Sequence, residues 1–110
     1  MDKGRNIKRE IIKILRDYAS QLKKGGIDIS KLILFGSHVQ GRAKSYSDID
    51  VCIVSPQFVR DDIQEAVKLK MLADKVDWRI EPHPYSPEDF AVEEDPFAHE
   101  IKRTGVEIKV

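Results

Sequence analysis

One thiol, Cys52, is all that 110 residues supply, so no intramolecular disulfide framework can form and the chain suits a reducing compartment. Long apolar runs are missing as well. None approaches the roughly 20 residues of a membrane span, and the charged N-terminal stretch does not read as a signal peptide. The expectation is a cytoplasmic protein with no membrane partner. An excess of one charge is also absent, since 19 Lys and Arg balance 19 Asp and Glu. That balance gives no general attraction to DNA or RNA, so stable nucleic-acid binding is not expected. There is no internal repeat, low-complexity segment or linker. What is present is length for one domain, residues 1–110, with 41% hydrophobic residues for a core and 35% charged residues for a soluble surface.

Apolar spacing then orders the chain. Ile7, Ile11, Ile14, Leu15, Tyr18, Ala19 and Leu22 recur at helical intervals between Asn6 and Lys24, and Gly25-Gly26 stops that helix. Ile11, Ile12, Ile14 and Leu15 nearly encircle one turn, a width that favours an oligomer or partner interface. "KLILFG" reads as a buried strand, "HVQGRAKSYS" as a polar loop with a helical turn after Ser37, and "DIDVCIVS" as a second strand stopped by Pro56. Residues 60 to 74 read as a second helix, capped by Asp61 or Asp62, with Ile63, Val67, Met71 and Leu72 turned inward. The prolines of "EPHPYS" set the end of a third strand, Val76 to Glu81. Ser86-Pro87 starts a further helical segment, a last helix runs from Pro96 to Arg103, and "VEIKV" closes the chain as a short edge strand. The order helix, strand, strand, helix, strand, helix defines a small α/β (α+β) domain, a mixed sheet flanked by helices.

The chemistry concentrates in "LILFGSHVQGRAKSYSDIDVCIVS". Successive strand residues point to opposite faces, so Asp48 and Asp50 project together while Ile49 turns away. Two adjacent carboxylates repel and are costly to desolvate without a compensating positive charge. A divalent cation is the usual compensation, and hard oxygen donors suit Mg²⁺ or Mn²⁺ bound together with substrate phosphates. Asp77, on the expected third strand, is the candidate third acid, with Glu81 on the same face as the fallback. Gly36 allows close backbone approach to a phosphate, and a helical turn opening at Ser37 aims N–H groups at it. Arg42 and Lys44 are placed to neutralise phosphate charge.

Apolar-Gly-Ser, ten intervening residues and Asp-x-Asp inside an apolar strand resemble the signature of the polymerase-beta-like nucleotidyltransferases. "KVDWRI" is similar to the strand that carries their third acid, and the small size points to the minimal nucleotidyltransferase (MNT) branch. The likeness covers residues 32 to 81. It implies that Asp48 and Asp50 bridge two Mg²⁺ ions, that Asp77 completes the set, and that Gly36 and Ser37, helped by Arg42, hold the phosphates of ATP. The implied reaction is attack of a hydroxyl on the α-phosphate, transfer of a nucleoside monophosphate and release of pyrophosphate. Minimal members commonly accompany a helical HEPN-type partner as antitoxin and attach AMP to a tyrosine of that toxin. A rival reading is a catalytically silent module that binds a nucleotide or neutralises the same partner by occlusion.

Other residues carry less. His83, His99 and Tyr46 read as solvated; His38 follows Ser37 and lies near any bound phosphate. Arg79 reads equally as a phosphate-orienting cation and as a simple ion-pair member. Cys52 shares the face of Asp50 but has no neighbour to lower its pKa. Trp78 is expected in the core. The acidic run from Glu93 to Asp95 reads as a solvated connection or a docking surface for a basic partner.

Overall fold

The computed structural model describes residues 7–110. Helix α1, Arg9–Lys24, buries Ile11, Leu15, Tyr18, Ala19 and Leu22, the stripe that its sequence spacing predicts; Asn6, the expected start, lies outside the described residues. Ile12 and Ile14 pack against the same core, so the broad apolar turn is absorbed within the chain. The Tyr18 hydroxyl donates to the Leu69 carbonyl oxygen at 2.9 Å, tying α1 to α3, Ile63–Asp74. Burial raises this phenol's pKa far above its ordinary value.

Four strands, β1 (Lys31–Phe35), β2 (Ile49–Val54), β3 (Ile80–Tyr85) and β4 (Val106–Glu107), form one mixed sheet in the order β3-β2-β1-β4. β1 runs antiparallel to β2 and β4, and β2 runs parallel to β3. Both faces are covered, which is why β1 and β2 are almost continuously apolar. Leu32, Leu34, Ile49, Val51, Ile53 and Ile80 pack with α1 and α3. Ile33, Phe35, Cys52 and Val54 pack on the opposite face with Phe90 of α4 (Pro87–Phe90) and with Ala98 and Ile101 of α5 (Pro96–Thr104). Three N-caps act as expected from their residue types: Asp62, Ser86 and Asp95 each accept a backbone N–H from the first turn of their helix. Among the described residues, no helix is long and apolar enough to cross a membrane.

Two sequence expectations are overturned. The third strand is Ile80–Tyr85, not Val76 to Glu81. Residues 76 to 79 instead close the end of α3: the N–H groups of Val76 and Asp77 both reach the Ala73 carbonyl oxygen at 2.9 Å, and Asp77 Oδ1 accepts the Arg79 N–H at 2.9 Å. Trp78, expected in the core, rides on this turn and is 66% exposed. Pro82 and Pro84 do not stop the strand, because β3 is an edge. The carbonyls of Arg79 and Tyr85 bond toward β2, so by alternation positions 80, 82 and 84 face outward, where proline loses no ladder bond. Lys70 Nζ covers the outward Ile80 carbonyl at 2.7 Å. Together these features leave the edge few groups to offer another strand.

The second correction concerns α3. Leu69 and Ala73 face inward, joined by partly buried Leu72, whereas Ile63, Val67 and Met71 are exposed. The helix carries apolar residues on two opposite sides, so periodicity alone did not say which one the sheet would take. The buried side has the small Ala73 beside Leu69, and it places the Leu69 carbonyl within reach of Tyr18.

Candidate active site

The site is built where β1 ends and β2 begins. Phe35, the last residue of β1, pairs with Asp50. Gly36 follows with φ +83°, a left-handed value that side-chain-bearing residues rarely adopt. Helical turn α2, Ser37–Gln40, then starts, its Val39 and Gln40 N–H groups donating to the Gly36 carbonyl oxygen. The N–H groups of Ser37 and His38 stand at the head of the turn, where no intrahelical acceptor exists. A Cβ on residue 36 would lie 2.6 Å from Asp50 Oδ2. The glycine therefore both permits the turn and lets the Asp50 carboxylate sit against the backbone of the loop.

Asp50 faces outward from the smaller core, on the side of Phe35 and Cys52. His83 of β3 approaches it, Nε2 to Oδ1 being 3.3 Å. The His83 ring also packs against Phe35 and Phe97, at centroid distances of 5.1 and 5.4 Å. Sequence reasoning missed this contact because His83 was taken for a loop residue beyond the strand; its place two residues after Glu81 is the signal that finds it. Asp48 is exposed just before β2, two residues ahead of Asp50. Cys52 is fully buried beside them, and burial pushes its thiol up to about 12, consistent with an inert strand residue.

Register decides which acid stands nearest. Across the parallel β2–β3 pair, Asp50 is opposite Glu81 and Cys52 opposite His83. Asp77 lies before the strand, and its carboxylate is taken up by Arg79: Nε at 3.0 Å and Nη2 at 2.9 Å form a bidentate pair. This hydrogen bonding, opposed by partial burial, holds Asp77 below its ordinary pKa. Arg79 Nη1 in turn donates to the Ser45 carbonyl oxygen at 3.0 Å. Asp77 and Arg79 thus clamp the loop between α2 and β2. Glu81 is exposed, with Lys70 Nζ 4.0 Å from Oε2. Arg42 is exposed after α2, its guanidinium donating to Gln40 Oε1.

Gly36, Ser37 and Asp50 are thereby brought together, Asp48 lies one period away, and Glu81 joins from β3. Among the described residues, no three His, Cys, Asp or Glu side chains already converge as a metal-binding group. The donor chemistry nevertheless suits a hard divalent cation: Asp50 and Glu81 are carboxylates at paired strand positions, Asp48 precedes β2, and the turn at Gly36 lies against Asp50. Along β3 a cleft of about 500 Å³, lined by Phe58, Glu65, Pro82, His83, Tyr85 and Phe97 among others, reaches the site at His83.

A mixed sheet with flanking helices, a Gly-Ser turn after one strand and a pair of aspartates entering the next define a nucleotidyltransferase-type fold. The family model described as "Nucleotidyltransferase domain", the polymerase-beta-like group, matches residues 9–107, and the chain belongs to that family. A search of curated proteins found no match to the chain. Family membership supports a transferase acting on a nucleotide, and members typically use a divalent metal and a nucleoside triphosphate.

Proposed function

We propose that the protein transfers a nucleoside monophosphate, AMP from ATP, to a hydroxyl acceptor, with the tyrosine of a HEPN-type toxin as the intended acceptor and an antitoxin role as the consequence. The observation that carries the reading is the close approach of Gly36 and Asp50, which sets the start of α2 against the acidic strand. Gly36 and the head of α2 would bind the terminal phosphates, the Ser37 hydroxyl adding a donor. Asp48, Asp50 and Glu81 would hold Mg²⁺, with Glu81 rather than Asp77 as third acid because it is the register partner of Asp50. When bound, Mg²⁺ supplies charge neutralisation at the phosphates and at the entering and leaving oxygens. The acceptor oxygen forms a bond to the α-phosphorus, the bond to the β-phosphate oxygen breaks, and pyrophosphate leaves. The cleft beside His83 supports an acceptor approach along β3.

A second reading has one observation in its favour. His83 already engages Asp50, as suits a silent module that binds its partner without transfer. Incubation of the chain and a HEPN-type partner with α-labelled ATP and Mg²⁺ separates the two. Label on the partner that disappears with Asp48→Ala/Asp50→Ala supports transfer. Equal labelling by both forms, or partner inhibition without labelling, defeats it.

A further inference from the structure

The cleft of about 500 Å³ that reaches Asp50 at His83 continues along the free edge of β3. Glu65 and Ala66, in the first turns of α3, stand on one side of it, and Asp89 and Asp95 on another. At the end nearer Glu81, Lys70 Nζ covers the outward Ile80 carbonyl oxygen. One turn earlier on α3 stands Ala66, whose methyl group has no donor to offer. The next outward positions, Pro82 and Pro84, therefore keep carbonyl oxygens that no donor among the described residues reaches, and proline sets no N–H beside them. This stretch of edge accepts hydrogen bonds and donates none. Its two carbonyls, on alternate residues, are about 7 Å apart, the interval at which an extended chain presents its own N–H groups along one side.

The charge of the cleft is one-sided too. Five carboxylates, Asp61, Asp62, Glu65, Asp89 and Asp95, line it beside a single cation, Arg60. Arg60 stands 3.6 Å from Asp89, so one pair cancels and four carboxylates remain. Asp62 and Asp95 cap helices, but the backbone N–H groups they accept carry no net charge. An anionic acceptor such as a nucleic acid is repelled from such a surface, and a cation is drawn to it.

We infer that the cleft receives an extended peptide segment of the acceptor protein, its N–H groups bonding to the Pro82 and Pro84 carbonyl oxygens and a lysine or arginine side chain lying among Asp61, Asp62 and Glu65. The route from Glu81 to Tyr85 covers about 13 Å of strand, which sets the cation three or four residues from the hydroxyl in an extended segment. The placing of that hydroxyl rests on the transferase reading; the binding does not.

Fluorescence anisotropy of short labelled peptides on the full chain tests the binding. Each peptide carries one tyrosine and, four residues away, a lysine, a glutamine or a glutamate. The lysine peptide is expected to bind about tenfold more tightly than the glutamine peptide, and to weaken as salt rises from about 50 to 300 mM. Asp61→Asn/Glu65→Gln keeps both side-chain shapes and should cut that preference to about threefold or less. Asp61→Lys/Glu65→Lys should reverse it in favour of the glutamate peptide. Methylating alternate backbone amides of the lysine peptide should weaken binding in one register and spare the other. Equal binding of the lysine and glutamine peptides, or a preference that survives both double variants, overturns the inference. Spermidine that displaces the lysine peptide at equal concentration, or indifference to both methylated registers, gives the cleft to a small polycation and overturns the peptide. Adding α-labelled ATP and Mg²⁺ separates the two readings. Selective binding with no peptide labelled defeats transfer and keeps the cleft, whereas labelling without preference for the lysine peptide does the reverse.

Discussion

Asp50 and Glu81 are partners across the parallel β2–β3 ladder, whereas Asp77 sits before β3 with its carboxylate held by Arg79. Parallel partners share a face of the sheet, so the acids divide into two kinds. Asp50 lies against the turn at Gly36 with Glu81 as its strand partner; Asp77 clamps the loop at Ser45 through Arg79.

That division predicts different outcomes for two otherwise similar substitutions. Glu81→Gln should lower the rate of pyrophosphate release by about 10²–10³, the scale of losing one preorganised charge stabiliser. Asp77→Asn should retain activity within about tenfold while lowering the melting temperature. Steady-state kinetics beside thermal denaturation of both variants decides it, and the reverse ranking would return the third-acid role to Asp77.

Gly36→Ala places a methyl group 2.6 Å from Asp50 Oδ2 at a backbone φ of +83°. The carboxylate or the turn must move, and a displacement on the order of 1 Å in a reacting constellation costs about 10²-fold. ATP affinity and turnover should both fall, read by calorimetry and pyrophosphate release, with a modest loss of stability from the strained backbone.

Asp77 also links stability to pH. Its folded pKa is depressed, first by the Arg79 side-chain hydrogen bond, so the unfolded chain binds the proton more readily than the folded one. The stability it contributes is fully present above the unfolded carboxylate value of about 3.9 and is lost as pH falls through the lower folded value. Acid titration of wild type and Asp77→Asn should show their stability difference shrinking in that window and staying constant from pH 5 to 7.

Tyr18→Phe removes the hydroxyl that reaches the Leu69 carbonyl oxygen while keeping the buried ring. The expected loss is about 1 kcal/mol, read as a lower denaturant midpoint with an unchanged slope. A neutral result would mean that the α1–α3 contact rests on packing alone.

Cys52 is fully buried and its thiol is pushed up to about 12. Native protein at pH 8 should resist alkylation for as long as it stays folded, and label once per chain in denaturant. Mass spectrometry of the two samples checks this.

Much of the fold was legible because it depends on local rules. The α1 stripe, the apolar β1 and β2 strands and the caps at Asp62 and Ser86 follow from spacing and residue type. The Gly36-Ser37 turn and the entry of Asp50 into the second strand follow in the same way. Less legible was the start of β3. Asp77 and Arg79 look like strand residues in sequence, and only their hydrogen bonds to the loop and to each other make them a turn. Pro82 and Pro84 look like a stop signal unless the strand is known to be an edge.

The sequence by itself determined a small mixed α/β domain with a glycine-led turn after β1 and two aspartates at the start of β2, because helical and strand periodicities and the φ demanded by glycine are properties of neighbouring residues. Tertiary structure alone decided that Glu81 rather than Asp77 pairs with Asp50 across the sheet, which side of α3 is buried, and that His83 touches Asp50. Those outcomes depend on the register between β2 and β3 and on how α3 rests against the sheet, and register and packing are set between segments far apart in the chain.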